Sequence, residues 1–132
     1  MSGGTPIRTD EAPPPAGPYS QAIRAGDIVY LSGQTPRDAV GNRLGELPFE
    51  AQVRQTLTNL EAVARASGGS LADAVKVTVY LAPGRQTSEF NTVYAEFFAE
   101  PGPARTTIVS ELANGVTVEV DAVLWLPEES RE

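Results

Sequence analysis

Val116 to Leu126 constrains the fold of this chain more tightly than any other segment, because it alternates without a break. Val116, Val118, Val120, Ala122, Leu124 and Leu126 fall on one side of an extended backbone. Thr117, Glu119, Asp121, Val123 and Trp125 fall on the other. Successive strand side chains point to opposite faces, so this is a β-strand with one wholly apolar face. That face belongs under helices. The second face is not an ordinary solvent face, since Val123 and Trp125 share it with two carboxylates. Apolar surface rimmed by polar groups marks an interface. The open face is therefore expected to pack against another copy of the chain, with Glu119 near the boundary.

The remaining elements can be placed around this strand. Residues 1–18 are rich in Pro and Gly, and Pro13-Pro14-Pro15 is expected to be extended and poorly packed. Thr5 to Thr9 can add an edge strand. Ser20 to Arg24 and Ile28 to Ser32 read as a hairpin about Ala25-Gly26-Asp27. Pro48 suits a helix start. Phe49, Val53, Leu57, Leu60 and Ala64 then recur at helical spacing until Gly68-Gly69. On that helix Gln55 and Asn59 read as surface or helix–helix contacts. Ser70 to Asp73 forms a short turn. Ala74 to Leu81 reads as a strand with Val75, Val77, Val79 and Leu81 on one face, and Lys76 as a solvated strand residue. Thr87 or Ser88 caps a second helix, whose apolar side is Phe90, Val93, Tyr94, Phe97 and Phe98; Pro101 stops it. A closing hairpin is expected over Arg105 to Leu126, turning at Asn114-Gly115. The order predicts an α+β domain over 1–132, with a core at 5–126 and a disordered acidic tail at 127–132.

Composition removes several chemistries. The 132 residues contain no Cys and no His, which excludes disulfides, thiolate nucleophiles and the His-based triads. Net charge is -7 and the basic residues are scattered, which disfavours nucleic acid as a partner. No apolar run approaches the roughly 20 residues of a membrane span, and the N-terminus lacks a signal-peptide core. The expectation is a cytoplasmic protein without a membrane partner.

Arg105 and Glu119 flank the expected final turn. A guanidinium holds a carboxylate in a planar fork, and a glutamate can move a proton or orient a water. Local sequence leaves two readings open: a cross-strand ion pair, or a substrate clamp beside a proton carrier.

Several segments in order then carry a resemblance. They are Gly17-Pro18-Tyr19-Ser20-Gln21-Ala22, Leu31-Ser32-Gly33-Gln34, Gln55-Thr56-Leu57-Thr58-Asn59-Leu60, Asn91-Thr92-Val93-Tyr94 with Phe97-Phe98, Pro103-Ala104-Arg105, and Val118-Glu119-Val120-Asp121-Ala122. Together, over about residues 5–126, they resemble the RidA/YjgF family of reactive-intermediate deaminases, whose members also carry the label L-PSP endoribonuclease.

The resemblance implies a chorismate-mutase-like mixed sheet with two helices on one face. It also implies a homotrimer with the other face inward and clefts between subunits. The implied activity is hydrolysis of 2-imino and enamino acids, such as 2-aminoacrylate and 2-iminobutanoate, to 2-keto acids and ammonia, with no cofactor and no metal. Arg105 matches the residue that binds the substrate carboxylate, and Glu119 the one that orients water. Tyr19, Ser32, Gly33, Asn91 and Thr107 match the cleft lining. Departures are Thr107 where cysteine is frequent, Asp121 in place of a second glutamate, and a final loop one residue short and lacking proline. The alternatives are a non-catalytic binder of small carboxylates or of a protein partner, and an endoribonuclease.

Overall fold

The computed structural model describes residues 3–85 and 87–127. The expected tail therefore lies, apart from Pro127, outside the described residues. The strands are β1 (Thr5–Ile7), β2 (Ala22–Ala25), β3 (Ile28–Gln34), β4 (Ala74–Leu81), β5 (Ala104–Val109) and β6 (Val118–Trp125). The helices are α1 (Phe49–Ala66) and α2 (Thr87–Phe97). One mixed sheet runs β1-β2-β3-β6-β4-β5.

The strand patterns decide that order. β6 is central, antiparallel to both β3 and β4. Its inward residues Val118, Val120, Ala122 and Leu124 are all buried, as its strict alternation requires. β5 carries two threonines and is largely exposed, so it takes an edge, parallel to β4. The expected β5–β6 hairpin does not form, because β4 lies between the two strands. Asn114 and Gly115 do adopt positive φ, 60° and 67°, but within a 3-10 turn of a longer loop. The strands it joins find better partners elsewhere, β5 through the α2 crossover and β6 in the gap between β3 and β4.

Val75 departs from its expected face. Ala74 pairs with Leu124 and Lys76 with Val123, so Val75 is the extra residue of a bulge and is 47% exposed. Val77, Val79 and Leu81 keep the inward face. At the start of β6, Val116 is only half-buried. Thr117 is turned to the helix side, where its Oγ1 donates to Gln52 Oε1 at 2.8 Å.

α1 packs its stripe of Phe49, Val53, Leu57, Leu60, Val63 and Ala64 onto β3 and β6. Each large member is worth about 1.5–3 kcal/mol against water. Gly68, at φ +100°, closes the helix: its N–H bonds to Arg65 O and that of Gly69 to Ala64 O. α2 packs beside α1 and adds Phe90 and Val93 to the same core. Thr87 and Ser88, expected as caps, are the first two residues of that helix. The proline-rich segment is also better packed than its composition suggests. Ala12 and Pro13 are buried, and Gln21 Nε2 donates to the carbonyls of Thr9 and Pro13 at 3.1 and 2.9 Å.

Candidate active site

The two residues that the sequence pairs lie on opposite faces of one sheet. Arg105 stands beside Val77 in the parallel β4–β5 ladder and shares its helix-side direction. Glu119 stands opposite Tyr80, on the open face. Within one chain the two residues therefore belong to two separate places on the sheet.

In the first, β5 sets Arg105 against α2. Its guanidinium lies 4.7 Å from the centre of the Tyr94 ring and 5.4 Å from that of Phe90. Such stacking contributes about 0.5–1 kcal/mol and fixes the plane of the fork. Nε donates to Thr107 Oγ1 at 3.0 Å, two residues along the same strand face. Arg105 takes part in none of the three ion pairs among the described residues, which rules out the cross-strand ion pair within one chain. Burial pushes the Tyr94 phenol up, and the Arg105 charge pulls it partly back. Asn91 belongs to the same helix and is exposed.

In the second, Glu119 lines a cavity of about 150 Å³ with Tyr19, Gly33, Gln34, Thr35 and Asn114. Gly33 leaves room there: a Cβ would collide with Glu119 Oε2 and come within 2.9 Å of Cδ, so the Glu119 side chain would have to move away. The carboxylate therefore lies directly against backbone. Burial raises the Glu119 pKa, and the Asp121 charge raises it further. Asp121 accepts from Tyr80 Oη at 3.2 Å, and burial raises its pKa too, against the opposing pull of Tyr80 and Lys76. Lys76 Nζ donates to Thr106 Oγ1 at 2.7 Å on the same face. Ser32 is next to the cavity, with its hydroxyl donating to Ser20 O at 2.6 Å. Tyr19 Oη accepts from Ala16 N at 3.1 Å.

The open face extends from this cavity as Tyr30, Val123 and Trp125. Tyr30 and Trp125 are 53% and 56% exposed.

Sequence reasoning missed what holds the cavity wall. Asn59, expected as a surface or helix–helix contact, is instead buried against the loop after β3, and its Nδ2 donates to Arg37 O at 2.8 Å and Thr35 O at 3.3 Å. Gln52 Nε2 donates to Leu47 O at 2.7 Å. Gln52, Thr56 and Asn59 share the spacing of the buried apolar stripe. Polar residues in core-facing register are the signal that marks them.

The family model described as endoribonuclease L-PSP matches residues 9–125. The chain belongs to the RidA/YjgF family. Among its RidA/YjgF relatives, a RutC family protein of Pyrococcus horikoshii is 42% identical over 120 residues, covering 90% of this chain and 95% of that protein. A 2-iminobutanoate/2-iminopropanoate deaminase of Dermatophagoides farinae is 39% identical over 125 residues, covering 94% and 98%. The crystal structure of RidA from an Antarctic Psychrobacter species superposes with a TM-score of 0.86 at 37% identity, covering 92% and 99%. The RidA fold is thus the α+β architecture described above. No helix among the described residues is long and apolar enough to cross a membrane.

Proposed function

We propose that this RidA/YjgF protein hydrolyses 2-imino and 2-enamino acids to 2-keto acids and ammonia, as a homotrimer whose sites form between copies. The observation that carries the reading is the split itself. An ion-unpaired, stacked guanidinium and a desolvated carboxylate occupy opposite faces of one sheet. A copy docked on the open face would bring the Arg105 half of one chain to the Glu119 half of another. Ser32, Gly33, Tyr19, Asn91 and Thr107 then line the joint cleft.

The chemistry needs no strong nucleophile, because C2 of a protonated imine is already electrophilic. Arg105 grips the substrate carboxylate through two N–H···O contacts. Glu119 takes a proton from water as its oxygen bonds to C2, and the C=N π pair moves to nitrogen. The resulting carbinolamine takes that proton on nitrogen. The C2–N bond then breaks, C2=O forms, and the hydroxyl proton leaves to solvent. Iminium plus water thus becomes keto acid, ammonia and a proton, and the ammonia takes up that proton from solvent as ammonium. A carboxyl whose pKa burial raises is better matched to both transfers than an ordinary surface carboxylate. Orientation supplies much of the remainder.

The test is ammonia release from imines generated in situ by an amino-acid oxidase acting on alanine or 2-aminobutyrate. Acceleration that depends on Arg105 and Glu119 is expected. Unchanged imine lifetime with 2-keto acid still bound would leave only the carboxylate-binding reading. RNA cleavage tracking Arg105 would favour the endoribonuclease reading.

A further inference from the structure

Arg37 and Arg43 are brought face to face in a single antiparallel bridge and line the same cavity as Glu119. We propose that this pair is a second anion-binding subsite, and that the substrate it selects is a 2-imino acid with another carboxylate on its side chain.

Two like charges directly opposite each other on paired strands destabilise the pairing. A neighbouring acid usually relieves that cost, and among the described residues none pairs with either arginine. Neither arginine takes part in any of the three ion pairs among the described residues. Asp38, beside Arg37 in sequence, is engaged within its own loop. Its Oδ1 accepts from Asn42 N at 2.8 Å and Val40 N at 3.1 Å, and its Oδ2 from Asn42 Nδ2 at 3.0 Å. Glu119 is the one carboxylate among the residues lining the cavity. Burial and Asp121 raise its pKa, and no arginine lowers it. The cavity thus has a carboxylate end and a guanidinium end that do not neutralise each other.

The guanidinium end is also built. Arg37 is half-buried, with its backbone carbonyl held by the buried Asn59. Its Nη1 donates to Pro14 O at 3.1 Å and its Nε to Gly41 O at 3.4 Å, and Nη2 has no partner among the described residues. The Arg43 side chain is exposed, with no hydrogen bond or ion pair among the described residues. A ligand whose C2 lies beside Glu119 can extend its far end to these donors. That end must be anionic to match them. Imines of this class arise when an amino acid with an acidic side chain is oxidised at its α-carbon.

The inference rests on the imine-hydrolase reading of the cavity, so the experiment has two arms. The first compares specificity constants for imines made in situ from glutamate or aspartate with those from 2-aminobutyrate. Wild type should favour the acidic imines, and Arg43→Gln should lower the acidic-to-alkyl ratio about ten-fold or more, with Arg43→Lys recovering part of it. An unchanged ratio overturns the proposal. So does an equal loss on both substrates, which would make the pair the holder of the α-carboxylate. The second arm is calorimetric titration of the full chain with 2-ketoglutarate and 2-ketobutanoate. Tighter binding of the dicarboxylate, lost in Arg43→Gln, is expected; equal affinities overturn the subsite while leaving imine hydrolysis standing. Preserved dicarboxylate preference without turnover would sink the hydrolase reading and leave the subsite.

Discussion

Replacing Asn59 with alanine is expected to destabilise the chain by about 2–3 kcal/mol, although the residue touches the Glu119 cavity only through the backbone of its wall. Asn59 is 1% exposed and joins α1 to the loop that follows β3. Its Nδ2 donates to Arg37 O at 2.8 Å and Thr35 O at 3.3 Å, while its Oδ1 accepts from Gln55 Nε2 at 2.8 Å. The change removes two donors from carbonyls that the helix partly screens from water. Each net bond is worth about 0.5–1.5 kcal/mol, and the vacated volume adds a smaller cavity cost. With an unfolding entropy of about 2.1 cal/mol/K per residue, the 132-residue chain should melt about 7–11 °C lower. Gln55→Ala is the comparison, since it loses one rim bond and should move the midpoint by about 2–5 °C. Differential scanning calorimetry at fixed chain concentration measures both. An Asn59→Ala midpoint within 2 °C of wild type, roughly the scatter of surface changes, would refute the idea that this buried amide holds the cavity wall.

Arg105→Lys keeps the charge but loses the fork and the stack on Tyr94. Its specificity constant for imine hydrolysis should fall one to two decades, about 2–3 kcal/mol, with little change in melting; near-normal hydrolysis would return Arg105 to a packing role. Glu119→Gln should slow turnover about a hundred-fold or more, read by the same ammonia assay. Because the folded pKa values of Glu119 and Asp121 are raised, their contribution to stability is complete below the ordinary carboxylate range. It is lost as pH rises through the raised values. Glu119→Gln should therefore gain stability relative to wild type between acid and neutral pH, and a constant difference across paired melting curves would contradict that sign. Light scattering should give about three times the 14.0 kDa chain mass, and Trp125→Glu should lower it; a monomeric wild type would remove the shared cleft.

Much of this fold is legible in one dimension. The alternation of Val116 to Leu126 dictates a two-faced strand, and the 3.6-residue stripe from Phe49 to Ala64 dictates the helix that covers it. Gly68 marks where that helix must end. These are local facts, because burial requires one face at a time and each face has its own period. Residue types also singled out Arg105 and Glu119, while Gly33 and Tyr19 came only through the resemblance to the family. Which strands pair is not local. Asn114-Gly115 has the backbone conformation a hairpin turn would use, yet β6 pairs with β3 and β4 and leaves β5 at the edge, because pairing is decided by competition for hydrogen-bond partners across the whole sheet. The bulge at Val75, the burial of Asn59 and the opposition of Arg37 to Arg43 follow from the same competition. Chain order alone cannot set them, since each depends on what a distant segment places alongside. Tertiary structure alone decided that Arg105 and Glu119 face away from each other. The alternation of β6 already puts Glu119 on the open face, but the face Arg105 takes depends on its register with β4.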